Sequence, residues 1–245
     1  MSKHRKKKPA QVSSLWVILA AVAVLAAIVL IVALAAGYKK PEPTRPTPTT
    51  NPVRIETPEE VNINLGYGLY IKDVAKYTGI YMEDGSDEVV SGVMMIVVEN
   101  TGTTDVQLAE IEMPVGKKIA CFKLTTLPAG ESVVLLETNR MPYENANITT
   151  AIANNVVLFE KPLDLCKDQL KIQVLNGAIN VTNISGQDIT GDVVIYYKNS
   201  STDMLYGGIT YRVTVTGGIK AGEIKQITGS HFSASGSRIM WVTVG

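Results

Sequence analysis

The chain has 245 residues, with 23 basic residues, 23 acidic residues, two cysteines and two histidines. The charge balance hides an asymmetry, because five basic residues precede a long apolar run near the N-terminus and all 23 acidic residues follow it. The chain beyond that run therefore carries a net charge of −5. An acidic balance argues against a nucleic-acid-binding function, which needs a basic surface.

The apolar run extends from Leu15 to Ala36 without a charged residue or a proline. A helix of this length spans roughly 33 Å, which matches the hydrocarbon core of a bilayer. Trp16 and Tyr38 lie at its two ends, where aromatic side chains favour the headgroup region. Residues 15–37 are therefore predicted to form a single transmembrane helix.

The residues before this helix predict its orientation. Residues 1–14 form a basic tail that contains Lys3, Arg5, Lys6, Lys7 and Lys8. Because such residues stay on the cytoplasmic side, we expect a cytoplasmic N-terminus and an extracellular C-terminal part at the plasma membrane. The alternative is a cleaved signal peptide. Ala33-Leu34-Ala35 has the spacing of a cleavage site, although the apolar run exceeds the usual signal core of about 7–15 residues.

Residues 38–59 contain six of the eleven prolines and a cluster of threonines. Proline fixes the backbone and removes a hydrogen-bond donor, so this composition predicts an extended, polyproline-like spacer. Such a spacer would hold the folded part away from the membrane. Its threonines are either unmodified or carry O-linked sugar.

From about residue 60 onward, short apolar runs with period two alternate with turn residues, which is typical of β-strands. Ile148 to Leu158 is the best candidate for a short helix, although Val156 to Phe159 favour a strand. The spacing of turns indicates an all-β fold with two tandem sandwich domains, over residues 60–145 and 146–245. The strands are predicted at Val93–Val98, Val106–Met113, Lys118–Leu124, Ser132–Leu136, Leu170–Val174, Ala178–Thr182, Asp192–Lys198, Ile209–Thr216, Glu223–Thr228 and Arg238–Val244.

Two short motifs recur in the same order, which predicts a tandem duplication. The first is a turn that begins at Asn100 and ends at Asp105, and it recurs from Asn183 to Asp188. The second is Ala129-Gly130-Glu131, which recurs as Ala221-Gly222-Glu223. The second copy is longer between its motifs, which indicates a loop or a strand extension at Asn199–Gly208.

The second copy resembles the FxLYD family of small extracellular β-sandwich modules in membrane-anchored bacterial surface proteins. The resemblance rests on VTNISGQDITGDVVIYYKN, IKAGEIKQIT and RIMWVTV within residues 170–244. Ile195-Tyr196-Tyr197 stands where the aromatic motif of the family would be, but the Phe-x-Leu-Tyr-Asp sequence itself is absent. The resemblance implies an Ig-like fold and an exported, non-enzymatic module, and it implies no ligand.

The two cysteines, Cys121 and Cys166, lie in the part predicted to be exported, where an oxidising environment permits a disulfide. The alternative is two unpaired thiols, since spacing alone does not bring two Cα atoms within bonding range. His231 lies in a Gly/Ser-rich turn and is interpreted as a surface histidine. No nucleophile motif, phosphate loop, dinucleotide fingerprint or metal-ligand spacing occurs, so no catalytic, cofactor or metal site is predicted.

Three further features have two interpretations each. The acidic segment Glu83–Glu88 is either a solvated hairpin turn or a calcium site. The tyrosines of Gly66–Tyr81 either pack in a hairpin or form a binding surface. The glycan-acceptor patterns matter only in a eukaryotic protein, and they begin at Asn147, Asn180, Asn183 and Asn199.

These features predict a membrane-anchored, non-catalytic interaction or scaffold module at the bacterial cell surface, with an unidentified protein or cell-envelope partner. The alternative is an accessory or ligand-sensing subunit of a membrane complex, assembled through the small residues Ala20, Ala23 and Ala27. An extracellular hydrolase that uses only acidic residues and tyrosines is the weakest of the three hypotheses.

Overall fold

A computed structural model describes residues 53–144, 147–175, 177–201 and 204–245. The predicted tail, the apolar run and most of the spacer lie outside the described residues. This also applies to the topology and interface residues Lys3, Arg5, Lys6, Lys7, Lys8, Trp16 and Tyr38. Among the residues that the structure describes, no helix has the length and apolar character needed to cross a membrane.

The described chain is all-β and sandwich-like, as the period-two pattern predicts. Its thirteen strands are β1 (Arg54–Gly66), β2 (Leu69–Ile80), β3 (Val89–Asn100), β4 (Val106–Val115), β5 (Lys118–Leu127), β6 (Ser132–Leu136), β7 (Ile152–Leu158), β8 (Leu170–Leu175), β9 (Ala178–Asn183), β10 (Val193–Ser201), β11 (Met204–Val215), β12 (Ile224–Ile227) and β13 (Ser237–Val244).

The strands form one large sheet and two small ones. The large sheet has the order β1-β2-β3-β6-β11-β10-β13, and the small sheets have the orders β5-β4-β7 and β12-β9-β8. The large sheet combines strands from both predicted domain ranges, 60–145 and 146–245. Its two parts meet where β6 and β11 run in parallel, through the pairs Leu205↔Val133 and Tyr206↔Val134.

The buried apolar side chains form separate clusters that follow the two halves of the chain. The first is drawn from residues 63–151, with Leu205 and Met240 added from β11 and β13. The second is drawn from residues 170–242. A third covers the other face of β2, β3 and β6 and includes the buried Tyr77 and Tyr81. Burial of such side chains contributes about 1.5–3 kcal/mol each, so these clusters hold the sheets together.

The segment Ile148–Leu158, with its two interpretations, contains strand β7 at Ile152–Leu158 and no helix. The longer second repeat is explained by a strand extension, because β10 and β11 continue as a hairpin to Ser201 and Met204. Strand β1 begins at Arg54, within the range that composition assigns to the spacer. The backbone of β1 pairs with β2 there, and Glu56 forms an ion pair with Lys76 at 2.8 Å.

The predicted repeat has the same hydrogen bonds in both copies. Asn100 is buried, and its Nδ2 donates to the carbonyls of Thr104 at 3.0 Å and Leu127 at 3.2 Å. Asn183 is also buried, and its Nδ2 donates to Gln187 O at 2.7 Å and Ile219 O at 2.8 Å. Each asparagine side chain therefore ties its own turn to the strand or turn that precedes the Ala-Gly-Glu motif.

The backbone around the repeated motifs matches as well. The N–H of Gly130 donates to Asn100 O at 2.7 Å, and the N–H of Gly222 donates to Asn183 O at 3.0 Å. Both glycines have positive φ, 77° and 74°, which an L side chain adopts only with strain. The same asparagine turn and glycine hydrogen bond therefore occur in both halves of the chain.

Candidate ligand-binding pocket

A pocket of about 600 Å³ lies where strands from both halves of the chain meet. Its volume falls in the range of roughly 300–1,000 Å³ that is typical of small-molecule sites. Most of its lining lies on strands β4, β5, β7, β10, β11 and β13, with two residues from loops. The lining side chains are Glu83, Gln107, Leu108, Lys123, Thr125, Thr126, Thr138, Val157, Tyr196, Ile209, Thr210 and Trp241, and Gly208 contributes backbone.

An aromatic pair lines one side of this pocket. Tyr196 and Trp241 are paired in the register of β10 and β13, which brings their side chains to one face of the sheet. The rings stack with centroids 4.0 Å apart and planes 4° apart. Phe159 meets Trp241 edge-on at 5.3 Å. Both stacked side chains are only half-buried, so they offer a rigid apolar surface to a ligand.

Threonine hydroxyls line another part of the pocket. The hydroxyls of Thr125 and Thr210 lie 2.9 Å apart and also contact backbone carbonyls, Thr125 that of Gly208 and Thr210 that of Thr125. The neighbouring Thr126 is buried and has a φ of 54°. A β-branched residue at positive φ is a true outlier, and such strain is concentrated at functional sites.

Glu83 brings a carboxyl group to the pocket from the loop between β2 and β3. Its Oε1 accepts a hydrogen bond from Leu136 N at 2.9 Å, and its Oε2 accepts one from Gly208 N at 2.7 Å. Burial raises the pKa of Glu83, whereas these backbone donors and the charge of Lys198 oppose the rise. The carboxyl group therefore connects the acidic loop to β6 and β11.

Lys198 is fully buried behind the threonines. Its Nζ donates to the carbonyl of Thr125 at 2.7 Å. Burial lowers the pKa of Lys198, and the charge of Glu83 opposes that shift. A buried ammonium is costly unless it is paired, so Glu83 and Lys198 depend on each other's charge.

The other acidic side chains of the segment Glu83–Glu88 point to partners outside the pocket. Asp84 and Glu88 bind the guanidinium of Arg140 at 2.8 Å and 2.6 Å, and Arg140 also lies 4.5 Å over the ring of Tyr81. Asp87 pairs with Nδ1 of His231 at 3.2 Å. Within the described ranges, no group of three acidic, histidine or cysteine side chains could hold a metal ion.

The remaining predicted site residues are spread over the molecule. Cys121 and Cys166 are free thiols, and burial raises the pKa of both. Tyr77 and Tyr81 are buried in the core, whereas Tyr67 is 64% exposed at a hairpin turn. Asn183 is buried and bonded through its side chain, which is incompatible with a glycan at that position.

Sequence reasoning did not single out Lys198, Thr125, Thr210 or Trp241 as members of a site. In the sequence, Tyr196 and Glu83 stand out only as parts of an aromatic tripeptide and an acidic segment. These side chains come together because β10 pairs with β11 and β13 in the large sheet, and β5, from a small sheet, packs beside β11. The local signal for this site in the sequence is Lys198, a charged residue at the end of the apolar strand residues 193–197.

Comparison of the chain with protein-family models, with curated proteins and with solved structures found no match in any of the three.

Proposed function

We propose that the protein is a single-pass, membrane-anchored surface protein whose exported β-sandwich part binds a cell-envelope ligand or partner without catalysing a reaction. The apolar run, the basic tail and the Pro/Thr-rich spacer support the anchored topology. The repeated asparagine turn supports a tandem, FxLYD-like and Ig-like architecture. The observation that carries the binding function is the pocket of about 600 Å³, lined from both halves.

The chemistry of the pocket supports binding over catalysis. Its carboxyl group, Glu83, is held by two backbone N–H groups. The hydroxyls of Thr125, Thr138 and Thr210 interact with carbonyls or with each other, and in the described part of the chain none of them bonds to Glu83. A nucleophile needs an adjacent base to be activated.

The proposal is tested by crosslinking in intact cells, with the full-length chain as bait. Gln107 is exposed and lines the pocket, and Gln173 is an exposed strand glutamine elsewhere. Gln107→Trp fills the pocket mouth, whereas Gln173→Trp adds the same bulk at a remote site. We expect the first variant to lose the crosslinked partner and the second to retain it. Equal recovery by both variants would contradict binding through the pocket.

A ligand-sensing subunit of a membrane complex is the second candidate. It is favoured by the short junction between the two halves in the large sheet, where β6 and β11 share two registered pairs. A ligand that contacts both halves could bias such a junction. Substitution of Ala20, Ala23 and Ala27 by leucine is expected to disrupt the complex. Unchanged mobility on a native gel would count against this candidate.

A further inference from the structure

We propose that the pocket binds an uncharged saccharide, so that the ligand of this surface protein is a glycan of the cell envelope or a free oligosaccharide. This inference rests on the proposed binding function and names the class of its ligand. It is carried by three properties of the same pocket, which are its aromatic wall, its hydroxyl groups and its charge balance.

The aromatic wall matches the faces of sugar rings. The C–H groups of a pyranose form a flat apolar face, and large aromatic side chains bury such faces efficiently. The rings of Tyr196 and Trp241 stack with centroids 4.0 Å apart, and the ring of Phe159 contacts the indole in a T-shaped arrangement. A wall that is already ordered loses little side-chain entropy when a ligand binds.

The polar groups of the pocket match hydroxyl groups. Thr125, Thr138 and Thr210 carry hydroxyls that donate to backbone carbonyls, and their oxygens can accept hydrogen bonds from sugar hydroxyls. Gln107 is exposed and adds a donor and an acceptor at the rim. A site built from such groups favours a ligand that forms a hydrogen bond with each of them. A ligand that leaves these polar groups without a partner binds more weakly.

The charges of the pocket favour an uncharged ligand. Glu83 and Lys123 are the acidic and the basic side chain of its lining. An anion would face the carboxyl group of Glu83, whose oxygens already accept from two backbone N–H groups, and a cation would face the amino group of Lys123. Like charges inside a partly desolvated site cost binding energy. Neither an anionic nor a cationic ligand is therefore favoured over a neutral one.

The test uses the full-length chain with Trp16→Phe in a sugar-free detergent. The chain has two tryptophans, so this variant leaves Trp241 as the sole indole reporter. The probes are maltotriose and N-acetylchitotriose as neutral saccharides, trigalacturonate as an anion and benzyl alcohol as an apolar molecule. We expect a saturable change in Trp241 fluorescence with a neutral trisaccharide, with a Kd between about 10 μM and 1 mM.

Two leucine variants in the same background test the role of the rim. Gln107→Leu is expected to weaken saccharide binding about threefold to tenfold, because it removes one hydrogen-bonding group. Gln173→Leu, which is remote from the pocket, is expected to leave the affinity unchanged. Equal affinity in both variants would overturn the placement of the saccharide in this pocket.

The remaining outcomes separate this inference from the proposed function. Saturation by trigalacturonate alone would overturn the uncharged character of the ligand, and saturation by benzyl alcohol alone would overturn the saccharide class. Either result would leave the pocket as a binding site. No response to any of the four probes, together with no sedimentation with purified cell-wall polysaccharide, would also overturn the saccharide class, while the crosslinking result for Gln107→Trp reports independently on binding. Sedimentation with purified cell-wall polysaccharide, in the absence of a response to trisaccharides, would identify the polymer as the source of the sugar.

Discussion

Asn100 and Asn183 occupy equivalent places in the two halves, and each donates both of its amide hydrogens to buried or half-buried carbonyl groups. The Oδ1 atom of each also accepts a backbone N–H two residues later, from Gly102 and Ser185, at 3.0 Å in both cases. Through these three hydrogen bonds, each of the two side chains holds its copy of the repeated turn together.

Replacement of either asparagine by alanine is expected to lower the free energy of unfolding by about 2–4 kcal/mol, because two carbonyls and one N–H lose a partner in the interior. Chemical denaturation followed by circular dichroism measures this loss. Thr103→Ala and Gln187→Ala alter exposed positions of the same turns and are expected to change stability by less than about 0.5 kcal/mol. A loss confined to one half would contradict the equivalence of the two turns.

Glu137 is a buried carboxylate with a structural role. It accepts hydrogen bonds from the backbone N–H groups of Cys121, Asn139 and Met141 at 3.0, 2.8 and 2.7 Å. Glu137→Gln exchanges one acceptor oxygen for a donor that faces an N–H group, and we expect a loss of about 2–3 kcal/mol in unfolding free energy. Glu144→Gln is the matched control, since that side chain is 53% exposed in a surface ion pair. Equal stability of the two variants would contradict this role for Glu137.

The buried pair Glu83 and Lys198 predicts how stability depends on pH. Lys198 has a lowered pKa in the folded state, so its contribution is fully present above the usual lysine pKa and is lost as pH falls through the lowered pKa. At this site the folded state then binds fewer protons than the unfolded state in alkaline solution. The contribution of Lys198 to the unfolding free energy should therefore rise by up to about 1.4 kcal/mol per pH unit between about pH 8 and pH 10, and the raised pKa values of the Cys121 and Cys166 thiols oppose this rise.

The pKa of Glu83 is raised, so the sign of its effect is opposite. Its contribution is present below the usual glutamate pKa and is lost as pH rises through the raised pKa. Lys198→Met should remove the alkaline rise in stability, and Lys171→Met, at an exposed strand position, should retain it. Urea unfolding across the pH range measures both slopes. An alkaline rise that persists in Lys198→Met would show that another group titrates.

The free thiols make a prediction about redox sensitivity. In the unreduced, denatured chain, both Cys121 and Cys166 should react with Ellman's reagent, and reductant should leave the unfolding midpoint unchanged. In the folded chain the reaction at neutral pH should be slow, because burial raises the pKa of both thiols and the thiolate is the reactive form. A stability that falls on reduction would instead indicate a disulfide, the alternative that the sequence leaves open.

The strands of this fold could largely be predicted from the sequence, because most are short segments with local alternation. The burial of individual residues was harder to predict. Val106 and Ala109 are both buried despite their spacing of three, since the pairing of β4 with β7 contains register shifts. Tyr197 and Lys198 are consecutive and both buried, because β10 has irregular pairing with β11 and β13 at this point.

The pocket could not be predicted, because it depends on the pairing of β6 with β11. That pairing joins Val133 to Leu205, and no local pattern in either strand specifies a parallel neighbour so far along the chain. The turn motifs at Asn100 and Asn183, in contrast, are local, and the sequence pattern alone predicts that they form a repeat. Sequence reasoning thus found the repeated unit and missed the contact that unites the two copies.

The order of strands in the large sheet also has a mechanical meaning. The strand nearest the N-terminus, β1, lies at one edge, and the last strand, β13, lies at the opposite edge. A pulling force between the two ends of the described chain is therefore transmitted across the whole width of the sheet. The shortest ladder on that route is the pair β6 and β11, with two registered contacts. Tension between these two ends would act first on this ladder, next to the pocket.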